Sequence, residues 1–245
     1  MELAIDTVGP TAAVALSDEG RVVAELTWPA GRRHTPTLIP MIDHACRLAE
    51  IDKGDLTSVS VDTGPGAYGG IRTGMATATA LALALAIPAV GCGRLEIEAY
   101  AHAAFPGAIA AIHAAGRRQW ALALYRGPAA SSDANSWTEF APPRLHPAAN
   151  IVEAIIQALS AAVSAPGLLT GDLDQLADTD REALVAQGWT IPTPAARLRR
   201  AGLLAELGWR RLQAGGDFAP HRLEPLYLRE PAIGPQPPPE PETAT

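Results

Sequence analysis

An α/β fold in two halves, each a mixed β-sheet flanked by helices, is what this sequence predicts. Three observations carry that expectation. Three short strands open the chain and lead into alternating helix and strand; the same texture restarts, shortened, after Pro106-Gly107; and a glycine-rich loop joins a buried strand to an apolar helix in the first half.

The central stretch is Val59-Ser60-Val61-Asp62-Thr63-Gly64-Pro65-Gly66-Ala67-Tyr68-Gly69-Gly70-Ile71-Arg72-Thr73-Gly74, continued by an alanine-rich run to Ala86. It reads as a strand, a glycine loop and a buried helix. Glycines at 64, 66, 69 and 70 permit positive φ or close approach of other atoms, and the loop presents its N–H groups at a helix N-terminus, where an anion can be held. Gly70, Gly74, Ala78, Ala82 and Ala86 recur every fourth residue, so one helix face carries almost no side chain. Two readings stay open: the bare face packs inside its own domain, or it meets a helix of another chain.

In chain order, Glu2 to Asp6 reads as a strand, Thr7-Val8-Gly9-Pro10 as a turn, Thr11 to Ser17 as a second strand and Arg21 to Trp28 as a third, after the hairpin turn Asp18-Glu19-Gly20. Asp6 can face a ligand from the end of its strand, but aspartate is also an ordinary turn residue, and the turn is the preferred reading. From His34 the spacing turns helical, with Leu38, Ile42, Ala45 and Ala49 on one stripe. Pro36 and Pro40 predict that the regular helix begins near Pro40, because proline fits a first turn and not a helix interior. His34 and His44 are not spaced to ligate one metal from a single helix, so solvent-facing or capping roles are expected. Pro88 to Cys92 is the next strand and Arg94 to Ala104 the next helix.

The second half begins with paired strands, Ala108 to His113 and Gln119 to Tyr125, around Ala114-Ala115-Gly116-Arg117-Arg118. A polar loop, expected to be mobile, runs from Gly127 to Ser136. Ile151 to Val163 reads as a helix, Gly167 to Thr170 as a strand, Gln175 to Gln187 as a helix and Ala195 to Ala214 as the last helix. Gly234 to Thr245 holds five prolines and no large apolar group, which predicts a disordered tail. The expected division is 1–104, 105–228 and a tail from 229 to 245.

Composition bounds the function. Apolar residues make up 48% of the 245, ample for a core. A formal charge of −7 argues against a lone nucleic-acid binder, which normally carries a basic field. Any RNA contact is then shared with a partner. Arg197, Arg199, Arg200, Arg210 and Arg211 make the last helix locally basic, either as a solvated face or as an attraction for RNA phosphates within a complex. Cys46 and Cys92 have no metal-type spacing and suggest no disulfide framework, which fits a reducing compartment. Met1 leads straight into a strand with no leader visible, and Met75 to Ile87 is too short to span a bilayer. No Ser-His-Asp, Cys-His or paired-carboxylate arrangement stands out, and no G-x-S-x-G elbow exists.

At this point the residues carry a resemblance. Ala4-Ile5-Asp6-Thr7, His34 ahead of Leu38-Ile39-Pro40-Met41-Ile42-Asp43, the Gly64 to Gly74 stretch, and Ile87-Pro88-Ala89-Val90-Gly91 leading to Leu95-Glu96 resemble the bacterial TsaB (YeaZ-like) family in order and spacing, over roughly the first hundred residues. Pro225-Leu226-Tyr227-Leu228-Arg229 resembles the family's ending, and the middle matches in outline.

The resemblance implies two actin-like (ASKHA, ribonuclease-H-like) subdomains. It also implies a non-catalytic partner of a TsaD-like subunit, with a TsaE-like ATPase alongside, in making threonylcarbamoyladenosine in tRNA. The expected setting is cytoplasmic, with a homodimer when the protein is alone, tRNA reached only through the complex, and no membrane. No cofactor is expected of this chain, ATP and magnesium belonging to the partner complex. The related catalytic subunit carries a metal-binding His-x-x-x-His on the helix after the strand ending here at Cys92. The matching positions are Arg94 and Glu98, and an arginine offers no lone pair to a metal. The family's usual Asp-Ala-Arg in the second half is His113-Ala114-Ala115 here, which removes a carboxylate from any magnesium site. The family's contact with TsaD uses the two helices of the first half, placing Leu38, Ile42, Ile71, Gly74 and Ala78 at or near the interface. Two rival functions are an independent ASKHA-type ATP-dependent enzyme and a glycopeptidase-like protease.

Overall fold

The computed structural model describes residues 1–31, 34–128, 136–160 and 167–229. The expected tail from 230 onward, most of the expected 127–136 loop and the helix end beyond Ser160 lie outside these residues.

Nine strands and six α-helices are found among the described residues. The first sheet uses β1 (Glu2–Asp6), β2 (Thr11–Asp18), β3 (Arg21–Pro29), β4 (Ser58–Asp62) and β5 (Ala89–Cys92), in the order β3-β2-β1-β4-β5. β1 is antiparallel to β2 and parallel to β4, and β4 is parallel to β5. The second sheet uses β6 (Ala108–Ala114), β7 (Gln119–Arg126), β8 (Thr138–Pro147) and β9 (Gly167–Gly171), in the order β8-β7-β6-β9. It repeats the first pattern, antiparallel β6–β7 beside parallel β6–β9, without the last strand. Helices α1 (His34–Leu48) and α2 (Tyr68–Leu85) cover one face of the first sheet, and α3 (Arg94–Tyr100) lies between the two sheets. α4 (Ile151–Ser160) and α5 (Asp178–Ala186) serve the second sheet.

Burial explains the strands. Every residue of β1 and β4 is buried, as expected of central strands packed on both faces, and the edge strand β9 is buried throughout as well. Leu3, Ile5, Val59 and Val61 face α1 and α2 in one cluster. Ala4, Val90 and Cys92 face the opposite layer.

Four expectations need correction. α1 begins at His34 and carries Pro40 inside it; one missing donor is outweighed by the burial of Leu38, Ile42 and Ala45. β8 was not foreseen, and its Pro142 and Pro143 argue against a strand. It survives as the sheet's edge, and the prolines sit where its register against β7 shifts between Leu122 and Leu124. The expected last helix is broken: residues Pro194–Arg197 form a 3₁₀ turn, an extended link follows, and α6 (Ala201–Ala214) begins only then. Finally, α6 does not belong with residues 105–228. It returns to lie across the first sheet, touching all five of its strands, so the first lobe is completed by the chain's last helix.

Candidate functional site

The glycine loop is shaped by what stands against it. The Ala67 N–H donates to the Val8 carbonyl at 2.8 Å, and a Cβ on Gly66 would stand 2.3 Å from that same oxygen. One turn along, the Thr7 hydroxyl donates to the Gly70 carbonyl at 2.7 Å. The β1–β2 turn is therefore seated directly on the start of α2. Gly64, at φ +101°, makes the bend that aims the loop there.

This seating settles which side of α2 faces inward. Gly70, Gly74, Ala78 and Ala82 are buried against the chain's own first sheet. The five residues expected at a partner interface, Leu38, Ile42, Ile71, Gly74 and Ala78, all lie in the intramolecular core, none more than 1% exposed where a value bears on it: Leu38 1%, Ile42 1%, Ile71 1%, Ala78 0%. Their side chains serve the chain's own packing. The bare stripe exists so that the helix can approach β1 and β4, where any side chain at Gly74 would strike Thr7.

The outer surface of the same helix pair is a different set of residues. On α2 it comprises Tyr68, Gly69, Arg72, Ala76, Ala80, Leu83 and Ala84, small for the greater part. Ile39 on α1 and Leu83 on α2 are exposed large apolar groups, at 44% and 63%. The two helices stand side by side, Thr35 and Thr73 hydroxyls 3.4 Å apart. No residue of the second lobe appears in this helix layer's cluster, apart from Leu223 of the C-terminal segment. The signal for the outer set was in the sequence: a helix apolar all round has something to meet on both sides.

A second candidate lies between the lobes. A cavity of about 790 Å³ is walled by the β1–β2 turn, the glycine loop, the β6–β7 hairpin and the C-terminal segment at Leu226 to Arg229. That segment crosses from one lobe to the other: the Leu226 N–H donates to Thr63 of the first, while Leu228 joins the core of the second. Tyr68 and Tyr227 rings lie 5.4 Å apart beside it, with the Arg72 guanidinium 4.0 Å over Tyr68.

The positions that depart from the family's pattern meet at the cleft floor. Arg94 Nε donates to Glu98 Oε1 at 2.8 Å, and Arg94 Nη1 stands 3.4 Å from His113 Nε2. His113 Nδ1 faces Asp172 Oδ2 at 3.5 Å. From the other side Arg199 donates from Nε and Nη2 to the two carboxylate oxygens of Asp6, and stands 3.6 Å from Asp62 and 3.5 Å from Glu98. Asp6 also accepts from the Val8 N–H at 3.3 Å, so it is a turn residue and a charge partner at once. Burial, and then the neighbouring Asp6, push the Asp62 carboxyl well above its ordinary pKa. Burial works against the charge on Arg199, but Asp6, Asp62 and Glu98 outweigh it and raise its pKa. Burial lowers the pKa of His113 despite its hydrogen bond with Asp172.

These residues do not fit a magnesium–nucleotide group. Both oxygens of Asp6 are bound by a guanidinium, Glu98 is paired with Arg94, and the second lobe's hairpin offers His113-Ala114-Ala115. Among the described residues no group of three or more His, Cys, Asp or Glu could hold a metal ion. The arginines of the C-terminal region are likewise engaged: Arg197 with the Gly171 and Pro192 carbonyls, Arg200 with Glu25, Arg210 with Glu206, and Arg211 with Glu96. His44 stands beside Arg47, and the His34 side chain lies outside the described residues. No described helix is long and apolar enough to cross a membrane.

Two mixed sheets of matching strand order, flanked by helices and facing each other across a cleft, define an actin-like α/β protein. Solved structures agree. A Pseudomonas aeruginosa protein described as similar to the peptidase YeaZ superposes over 93% of this chain and 99% of its own, with TM-score 0.71 and 22% identity. YeaZ from the same organism gives 0.67 at 20% identity over 93% and 99% of the two chains. A ROK hexokinase from Thermus thermophilus gives 0.51 at 14% identity over 86% and 99%.

In sequence, residues 22–141 match the family described as TsaD, tRNA N6-adenosine threonylcarbamoyltransferase. The tRNA threonylcarbamoyladenosine biosynthesis protein TsaB of Bacillus subtilis is 34% identical over 124 residues, 51% of this chain and 54% of that protein. TsaB of Escherichia coli is 32% identical over 93 residues, 38% of this chain and 40% of that protein. The sequence similarity is thus to TsaB proteins, and the fold is shared with YeaZ. The matched stretch spans about half the length, or less, of these curated relatives.

Proposed function

We propose that this chain is a non-catalytic scaffold subunit for threonylcarbamoyladenosine modification of tRNA, docking a TsaD-like subunit through the outer surface of α1 and α2. The observation that carries the reading is the contrast between the two candidate sites. The cleft floor, where an actin-like enzyme would do its chemistry, is taken up by the chain's own ion pairs. The outer face of α2 is exposed and carries mostly small residues, with Leu83 standing out of it and Ile39 out of the neighbouring α1. Small residues let a partner helix come close, and apolar area removed from water there stabilises the contact by about 25 cal/mol per Å² before association costs.

On this reading the same surface makes a homodimer when the partner is missing, and ATP and magnesium are handled by the TsaD-like subunit and a TsaE-like ATPase. tRNA is reached through the complex, since the acidic chain has its C-terminal arginines already paired. Similarity to TsaB proteins and to tRNA N6-adenosine threonylcarbamoyltransferase supports the pathway. The test is reconstitution with the TsaD and TsaE proteins of the same organism. Modified tRNA should form only when this chain is present, and Leu83→Asp should abolish both co-purification and modification. Equal modification without the chain would end the proposal.

A further inference from the structure

The segment between the 3₁₀ turn at Pro194–Arg197 and α6 is the chain's route from the second lobe back to the first, and it is held by arginines in quick succession. Arg197 Nη1 donates to the Gly171 carbonyl at the end of β9, at 3.1 Å. Arg199 grips Asp6 at the end of β1 and lies within ion-pair distance of Asp62 at the end of β4 and of Glu98 on α3. Arg200 Nε donates to Glu25 on β3 at 3.1 Å, and the same carboxylate accepts the Gly202 N–H at 3.0 Å, where α6 begins.

Arg199 is the centre of this arrangement. Its side chain is 10% exposed, and the partners Asp6, Asp62 and Glu98 are at 2%, 0% and 3%. Buried carboxylates this close cannot all keep their charge without a cation among them. Glu98 Oε1 is shared with Arg94, which reaches on to His113 and, at 4.0 Å, to Asp172 of the second lobe. A continuous line of charge thus runs from Asp172 through His113, Arg94, Glu98 and Arg199 to Asp6. Changing the angle between the lobes would break it and leave buried charges unpaired.

We infer that Arg199 is a latch: it takes the place of a bound cation at the cleft floor, holds the two lobes at a single opening, and ties the docking of α6 to that joint. The cleft of this chain is then a rigid joint rather than one that opens and closes. The paired hydrogen bonds to Asp6 need a planar guanidinium, so lysine is a poor substitute. The inference does not depend on the partner proposed above, because it is read from the isolated chain.

The experiment places nitroxide labels at Val23 on β3 and Gln187 after α5, both exposed, and measures the distance distribution by pulsed electron resonance, together with amide exchange of α6. The full-length protein should give one narrow distribution, unchanged by magnesium and ATP. Arg199→Ala and Arg199→Lys should broaden it and speed exchange in residues 201–214 at least tenfold relative to β6 and β7. Should both variants fail to fold, Glu98→Gln, which keeps the side chain's size but cuts the line between Arg199 and Arg94, should broaden the distribution while α6 stays protected. Two distances in the unaltered protein, or a distribution as narrow in a folded variant as in the parent, would overturn the inference.

Discussion

Gly70 and Thr7 are in such close contact that a methyl group on Gly70 would stand 2.0 Å from the Thr7 carbonyl oxygen, while the Thr7 hydroxyl donates to the Gly70 carbonyl at 2.7 Å. The partner on the far side of the clash is backbone, inside a turn that is itself tied to the glycine loop. It cannot move aside as a flexible side chain would.

Gly70→Ala should therefore destabilise the protein by about 3 kcal/mol, the upper end of what overpacking does in a close-packed core. Gly69→Ala is the control. Its added methyl meets nothing within 4 Å, and alanine gains up to about 1 kcal/mol over glycine in a helix. Urea melts of the two variants should fall on opposite sides of the parent; Gly70→Ala melting with the parent would show that the turn is not fixed.

The two stripes of α2 make separable predictions. Ala80→Arg adds a long charged side chain on the exposed side, so thermal stability should stay within about 0.5 kcal/mol of the parent, as for surface changes generally. Self-association, followed by sedimentation at several concentrations, should be lost. Gly74→Leu, aimed at the inner stripe, should instead prevent folding, because Thr7 Oγ1 stands 2.4 Å from the position of its Cβ. A folded Gly74→Leu protein that fails only in association would reverse the assignment of the two faces.

Much of this architecture could be read from residue order, and the failures have physical causes. The strand–helix alternation of the first lobe follows from periodicity, since β1 carries a short apolar run, β4 alternates serine with valine, and the glycine loop is unmistakable. Proline misled at Pro40, because the rule against proline concerns a hydrogen bond that a buried helix can do without; β8 went unassigned, and its edge position is what accommodates Pro142 and Pro143. The destination of α6 was illegible: its apolar positions say that it is covered, not by which sheet. The same holds at the cleft floor. Asp6 could be recognised as a carboxylate at a turn, but its partner Arg199 lies 193 residues away and sat in what read as a basic helix face. Which face of α2 is inner was decided by contact with Thr7 and Val8, a tertiary fact that no helical wheel contains.

His113 should make stability fall on the acid side. Burial lowers its pKa from the ordinary 6.5, Arg94 adding to the effect, while the hydrogen bond with Asp172 and the charges of Glu98 and Asp172 oppose it. The unfolded chain thus binds a proton that the folded one resists. The stabilisation is complete above 6.5 and is lost as pH falls through the lowered folded pKa. His113→Gln should flatten the dependence of unfolding free energy on pH below about 6.5. His102 and His146, also lowered by burial, leave a smaller slope of the same sign. An unchanged slope in the variant would remove His113 from the account.

Asp62 should act with the opposite sign. Its pKa is raised above the ordinary 3.8, first by burial and then by Asp6, with Arg199 and the Gly64 N–H opposing. The folded state holds this proton after the unfolded state has released it. Stability from the group is therefore complete below 3.8 and declines as pH rises towards the raised folded value. Asp62→Asn cannot titrate, and its amide oxygen can still accept the Gly64 N–H that Asp62 Oδ1 receives at 2.8 Å. The variant should match the parent near pH 4 and exceed it in neutral solution, with the acid-side contribution of His113 left intact. Urea melts across that range decide it. If Asp62→Asn is less stable than the parent at neutral pH, Asp62 is ionised there and works as a full partner of Arg199, sharing with Asp6 and Glu98 the charge that holds the latch.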